Sequence, residues 1–322
     1  MPPTRRELLR LSASSGFEPT MLEKVVRLGE ILADTARHPQ LSAVLVLKGG
    51  TALNLFLGPP KRLSVDLDFN YVGQLDRQEA AKARPAVEEN LERIAKAQGY
   101  AVQRSRDAHA GRKLYLTFRR TIDEIRDRLE IDVNFLHRQR LLPSTSRRMW
   151  QPGVVPACEF PVVSFGELAA GKLIALLDRT APRDAWDVAH LPRISGGEWP
   201  SDKSRAIFVG MAGTLPNPLY SYAARGLSAI PDPDVIRLLH PMLLAGERPT
   251  GDELREAAWE VTLPLVDLTP AEREYCDRLQ RGELSPDLLF PDDPDLAARL
   301  AASPPLLWKA ENARRFASRR NR

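Results

Sequence analysis

Leu8 and Leu11, then Leu22, Val25, Val26, Leu28 and Leu32, recur at helical spacing among charged residues over 5–37. The pattern predicts two amphipathic helices whose apolar stripes cover another layer. The period then changes. Residues 43–47 are an unbroken apolar run that predicts a buried strand, Gly49 and Gly50 interrupt it, and 51–57 predict a short helix before the turn Gly58-Pro59-Pro60. Residues 65–70 predict the next strand, 77–98 a charged amphipathic helix, and 114–118 and 129–136 two further strands. Helices and strands in this order around a small mixed sheet make the fold class α+β.

Beyond Ser164 the strand pattern largely stops. Ser164 followed three residues later by Glu167 predicts a capping box, with Val163 and Leu168 as its hydrophobic staple, and so a helix over 165–179. Pro182 predicts the first turn of another helix, 192–200 reads as a linker, and Thr269-Pro270-Ala271-Glu272 marks a later helix start. Three regions follow: N-terminal helices packed on the core (1–40), a small mixed-sheet core flanked by helices (41–163), and a mostly α-helical C-terminal lobe (164–322). The sequence shows no internal repeat and no low-complexity segment.

Composition narrows the class. The 322 residues are 43% hydrophobic and 27% charged, which excludes a disordered, collagen-like or disulfide-scaffold chain. No apolar run exceeds five residues, against the ~20 a membrane helix needs, and no secretory leader is legible, so the expectation is a cytoplasmic protein without a membrane partner. Cys158 and Cys276 stand far apart, and His38, His109, His137, His190 and His240 are scattered without metal-ligand spacing, which argues against a zinc site. The net charge of +4 is uneven: Lys309, Arg314, Arg315, Arg319, Arg320 and Arg322 against Glu311 give residues 309–322 a local +5 and leave about −1 for the rest. A basic end on a near-neutral body suits an acidic partner, nucleic acid first, as well as it suits a solvated helix end; Trp308 reads as an anchor packing that end on the lobe.

The chemistry is concentrated in Lys48-Gly49-Gly50-Thr51, in Asp66-Leu67-Asp68-Phe69, and in Ile131-Asp132-Val133. On a strand, Asp66 and Asp68 project from one face about 7 Å apart. If the Asp132 strand lies beside them, three carboxylates form an oxygen-rich cage of the kind that holds two divalent cations for phosphoryl or nucleotidyl transfer. A Gly-Gly turn at a helix N-terminus supplies backbone N–H groups for phosphate. Each part alone has an ordinary reading: a solvated strand end, a simple turn, or an ion pair of Asp132 with Arg128 or Arg138.

Together these motifs resemble a family. Leu47-Lys48-Gly49-Gly50-Thr51-Ala52-Leu53 followed by Arg62-Leu63-Ser64-Val65-Asp66-Leu67-Asp68-Phe69 is similar to the signature of AbiEii/AbiGii-type nucleotidyltransferase toxins, a branch of the DNA polymerase β-like nucleotidyltransferases. Lys172-Leu173-Ile174-Ala175-Leu176-Leu177 and Arg183-Asp184-Ala185-Trp186-Asp187-Val188 resemble the family's downstream motifs, and Leu306 to Asn312 is also family-like. The resemblance implies a bilobed enzyme whose lobe contributes Lys172 and Asp187 to the cleft, an NTP co-substrate, Mg²⁺ or Mn²⁺, transfer of NMP with release of pyrophosphate to an acceptor that in several members is tRNA, and a cognate antitoxin in a toxin–antitoxin or phage-defence system. It assigns metal to Asp66, Asp68 and Asp132, with Asp132 alternatively taking the acceptor's proton, and nucleotide binding to Lys48, Gly49, Gly50, Thr51, Ser64 and Lys172. Of Asp184 and Asp187 it favours Asp187. Ser64, two residues before Asp66, is a candidate self-acceptor, so a protein- or self-modifying enzyme is one alternative; a non-catalytic nucleic-acid-binding protein using the basic tail is another.

Lys172 also has an argument of its own. Leu168, Lys172 and Leu176 share one helix stripe, so the ammonium is aimed along an apolar face and calls for an anion there, unless the stem packs and the head snorkels out to water. Gly166 to Leu173 nearly matches a P-loop, but Leu173 stands where the hydroxyl should be and the intervening residues favour helix.

Overall fold

The computed structural model describes residues 3–106, 111–153, 155–196 and 199–320, and the side chains of these up to residue 316. The chain divides into two compact units. The first comprises residues 1–138, 144–163 and 239–248; the second comprises 139–143, 164–238 and 249–322.

In the first unit, α1 (Arg5–Ser15) opens on a capping box between Thr4 and Glu7 and ends at Gly16, whose φ of 79° suits glycine. α2 (Pro19–Arg37) buries Leu22, Val25, Val26, Leu28, Ile31 and Leu32. After the single turn α3 (Pro39–Ser42) comes β1 (Leu45–Lys48), which begins two residues later than the apolar run because Val44 still donates to the Leu41 carbonyl. α4 (Gly49–Phe56) follows directly, then β2 (Asp66–Tyr71), α5 (Arg77–Ala97), β3 (Ala101–Arg104), β4 (Gly111–Arg119), β5 (Arg126–Asn134), β6 (Thr145–Arg148) and β7 (Glu159–Val162).

The described strands form one mixed sheet in the order β3-β4-β5-β2-β1-β7-β6. β2 with β5 and β1 with β7 are parallel; the other neighbours are antiparallel. Alternation along β2, β4 and β5 separates the two faces: Leu67, Phe69, Leu114, Leu116, Leu129, Ile131 and Val133 are buried, while Asp66, Asp68, Glu130 and Asp132 are half-buried on the other side. α2 packs on β7 and α5 on β3 and β4. The sequence pattern missed β3, β6 and β7, which are four residues each; β6 is exposed at every position and so carries no apolar alternation. Segment 239–248 belongs to this unit through Arg62, fully buried, which bridges Leu243, while the Leu63 N–H donates to the Met242 carbonyl at 2.8 Å.

The second unit is helical: α6 (Phe165–Arg179), α7 (Pro182–Ala189), the single turn α8 (Leu191–Ile194), α9 (Asp202–Ala212), the single turn α10 (Asp232–Asp234), α11 (Gly251–Val266), α12 (Pro270–Gln280), α13 (Pro294–Ala301) and α14 (Pro304–Arg320). α6 runs over the residues the spacing predicted. Its cap differs in one respect: Ser164 accepts from the Glu167 N–H, but the Glu167 carboxylate accepts from the Leu141 and Leu142 N–H groups and the Ser164 hydroxyl instead of closing the box on the N-cap backbone. That anchors segment 139–143 to α6. The P-loop-like stretch lies wholly within α6, where it has no loop to wrap a phosphate. Part of the expected linker is the turn α8, and its residues 197 and 198 lie outside the described residues, as does His109. Trp308 does not pack as expected: it is 64% exposed, and Leu306 and Ala310 are the buried side of α14.

Candidate nucleotide and metal site

The site is built on the polar face of the sheet by register. Asp68 stands opposite Lys48 on β1 and opposite Asp132 on β5, and Asp132 in turn stands opposite Lys113 on β4. Four adjacent strands therefore carry a row Lys48, Asp68, Asp132, Lys113, with a cation at each end and two carboxylates between. In the next row Asp66 faces Glu130, which faces Tyr115. The three carboxylates expected to converge do lie on neighbouring strands and one face. As the side chains stand, no group of three or more His, Cys, Asp or Glu residues among the described ones is close enough to hold a metal ion. What fits a hard divalent cation is the donor chemistry: two side-by-side carboxylates with oxygen ligands only.

Electrostatics mark the same pair. Burial, then the charge of Asp68, pushes the Asp132 carboxyl above the usual carboxylate range, against the pull of Lys48 and Lys113. Neither Arg128 nor Arg138 relieves it: Arg128 pairs with Glu130 at 2.8 Å, and Arg138 donates to the carbonyls of Leu75 and Phe135. Burial works against the charge of Lys113, but Glu130, Asp132 and Asp68 outweigh it and hold this ammonium above its usual range; its contact to Glu130 is a long 3.4 Å. Burial, with the Lys48 charge nearby, drives His137 down to about 4, so that ring is neutral at pH 7.

Gly49 explains why the strand must turn where it does. Its φ is 73°, and a Cβ there would collide with Oδ2 of Asp68, so the backbone at the start of α4 lies directly against this carboxylate. Thr51 is buried and its hydroxyl donates to the Asp66 carbonyl, tying the first turn of α4 to the strand that carries both aspartates. The Gly49, Gly50 and Thr51 N–H groups open the helix, and the N-cap residue Lys48 supplies no side-chain cap to them. Ser64 is 6% exposed.

Gly49→Ala therefore displaces Asp68 and strains the backbone together. We expect a destabilisation of roughly 1–3 kcal/mol and a fall in turnover of about 10²-fold, the scale of a misplaced reacting group. Thermal melting and steady-state rates check this, and wild-type turnover would show that Asp68 does not act from this position.

In the second unit, α6 and α7 bring Lys172, Asp184 and Asp187 together. Lys172 lies 2.7 Å from Asp187 and 3.1 Å from Asp184, and Arg179 lies 2.6 Å from Asp184. Both carboxylates are fully buried. Burial opposes the charge of Asp184, yet Lys172 and Arg179 hold its carboxyl below the usual range. The anion that the Lys172 stripe called for is thus supplied within the unit. Sequence reasoning missed Lys113 and Glu130; period-2 alternation from Asp132 would have reached Glu130, but Lys113 is defined by cross-strand register alone.

The chain has relatives among known proteins. The family model "nucleotidyl transferase AbiEii toxin, type IV TA system" matches residues 30–212. The structure is similar to MenT4, a nucleotidyltransferase toxin from Mycobacterium tuberculosis, with a TM-score of 0.63 at 20% identity over 93% of this chain and 98% of that one. JHP933 from Helicobacter pylori aligns with a TM-score of 0.47 at 16% identity, over 81% of this chain and 95% of that one. No curated protein matches significantly. Among the described residues no helix is long and apolar enough to cross a membrane.

Proposed function

Because the chain belongs to the AbiEii nucleotidyltransferase toxin family of type IV toxin–antitoxin systems, we propose that it transfers NMP from an NTP to a hydroxyl of RNA, tRNA foremost, with release of pyrophosphate. The observation that carries this reading is the in-register pair Asp68 and Asp132 beside the uncapped glycine start of α4.

Asp66, Asp68 and Asp132 would hold Mg²⁺ or Mn²⁺, which when bound neutralises phosphate charge and orients the reacting oxygens. The N–H groups of Gly49, Gly50 and Thr51 bind phosphate oxygens at the positive end of α4, and the Lys48 ammonium stands over the same row. The acceptor oxygen forms its bond to the α-phosphorus as the bond to pyrophosphate breaks. As the alternative to ligating the metal, Asp132 takes the displaced proton: burial and the Asp68 charge raise its carboxyl and so make the carboxylate a better base. The burial of Ser64 favours an acceptor from outside the chain over self-modification. Lys172 and Asp187 enter as a buried pair that fixes α6 to α7 within the second unit. The toxin's partner would be an antitoxin that restrains it.

Each α-labelled NTP, incubated with the protein and Mg²⁺ or Mn²⁺, alone and with total RNA, tests the proposal. We expect label in RNA, equimolar pyrophosphate, and loss of both on chelation. Label confined to the protein would transfer the reading to self-modification, and no label with any NTP would overturn it.

A further inference from the structure

The polar face of the sheet carries a cation that the transfer described above leaves unused. Lys48 and Lys113 stand in register at the two ends of the row formed with Asp68 and Asp132. Adjacent strands lie about 4.8 Å apart, so three spacings separate the two lysine backbones by roughly 14 Å. Lys48 leads directly into the glycine start of α4, whereas Lys113 lies one strand beyond Asp132. Nor is the Lys113 charge spent on a tight ion pair. Its contact to Glu130 is 3.4 Å, while Arg128 holds the same carboxylate at 2.8 Å. The Lys113 side chain is 47% exposed, on a row whose other members are half-buried. Its backbone is fixed, since its N–H donates to the Ser105 hydroxyl at 3.1 Å and its carbonyl accepts from the Ser105 N–H at 2.9 Å. The long stem alone decides where the charge goes.

The direction of the displacement says which substrate that end of the row meets. Transfer at phosphorus keeps the attacking and leaving oxygens roughly in line. With the phosphates bound at the start of α4, pyrophosphate departs towards Lys48, and the acceptor oxygen must enter from the opposite end, past Asp132. Lys113 stands there. An RNA acceptor brings to that end the phosphodiester next to its reacting hydroxyl, and a lysine ammonium is a compact point charge suited to one phosphate. We propose that Lys113 binds the acceptor RNA through this phosphodiester, so that the row has a nucleotide end at Lys48 and an acceptor end at Lys113. This role rests on the RNA-acceptor reading of the same site and adds to it the residue that receives the RNA.

Two titrations read the two ends separately: a fluorescent single-stranded RNA with a free terminal hydroxyl, bound without NTP across a salt series, and a fluorescent NTP bound without RNA. For Lys113→Gln we expect RNA binding at least ~10-fold weaker at low salt, the scale of one charge-assisted contact. The slope of log K against log salt should shrink by about 0.7, the value of one phosphate contact on a single strand. NTP binding should match wild type, and in steady state the KM for RNA should rise while the KM for NTP holds. Lys113→Arg keeps the charge and should restore RNA binding, which loss of a merely structural contact to Glu130 would not require. Melting curves of both variants confirm the fold. Weakened NTP binding with wild-type RNA binding would overturn the proposal and assign Lys113 to the triphosphate. Wild-type affinity for both ligands would overturn it as well and leave the lysine a cross-strand partner of Glu130. Because RNA binding is read without transfer, an enzyme that labels no RNA yet loses RNA binding in Lys113→Gln would sink the transfer reading and leave this contact standing.

Discussion

Asp68→Ala should lower nucleotide transfer by about 10³-fold or more while leaving the melting temperature within a few degrees of wild type. The rate effect follows from losing the central carboxylate of the row: a bound metal ion supplies several kcal/mol of charge stabilisation, and each 1.36 kcal/mol is tenfold in rate. The stability effect has the opposite origin. Asp68 is one of the three causes that raise Asp132, after burial and before Glu130, so its removal brings the Asp132 carboxyl down towards its ordinary value and relieves repulsion on the polar face. Asp68 also contributes no apolar packing, and Leu67 and Phe69 on the other face keep the strand in register. Asp132→Asn should share the rate loss but keep the strand pairing for the same reason. Transfer within tenfold of wild type in the Asp68 variant would remove this row from the chemistry. A melting temperature that fell by ten degrees or more would mean that the carboxylate is structural.

How far the sequence reaches can be judged from the parts of this face. Strand β2 was legible because Asp-Leu-Asp-Phe alternates, and alternation is a local signal; the shared face of Asp66 and Asp68 followed at once. The α6 limits were legible for the same kind of reason, since Ser164 and Leu168 mark a start and Arg179 closes the periodic stretch. The adjacency of Asp68 and Asp132 was conditional in the sequence, because nothing in a single strand says which strand will lie beside it. Lys113 shows the limit most clearly. Its strand was readable from 114 to 118, yet the lysine lies one residue outside the apolar core of that pattern and gains its meaning only from the nine-residue pairing of β4 with β5. β6 could not be read, since Thr-Ser-Arg-Arg at an exposed sheet edge has no buried side to set a period. Trp308 misled for a general reason: aromatic bulk predicts burial on average, whereas on α14 it is Leu306 and Ala310 that turn inward.

Lys172 offers the other large effect, and it has to be separated into two parts. Lys172→Met keeps the stem that packs beside Leu168 and Leu176 but strips the cation from Asp187, which is fully buried, and from Asp184, which retains Arg179. Breaking a buried pair from one side costs about 3–5 kcal/mol, so a fall in melting temperature of roughly 4–7 °C is expected for a chain of this size. The loss should depend on pH. Lys172 leads the charges that hold the Asp184 carboxyl below its usual range, a source of stability present above the unfolded carboxylate range and lost as pH falls, so the gap between wild type and variant should narrow in acid. Adding Asp187→Asn removes one of the two buried carboxylates and should recover much of that stability. Turnover is the discriminating readout in the double variant. If the lysine only fixes α6 to α7, activity returns with the melting temperature; if its charge also meets the charge developing on the triphosphate, turnover stays about 10²-fold down in a well-folded protein. We expect the first outcome, because both anions that the ammonium meets, Asp184 and Asp187, lie within the same unit as the lysine. Full recovery of activity in the stable double variant would reduce Lys172 to a structural cation.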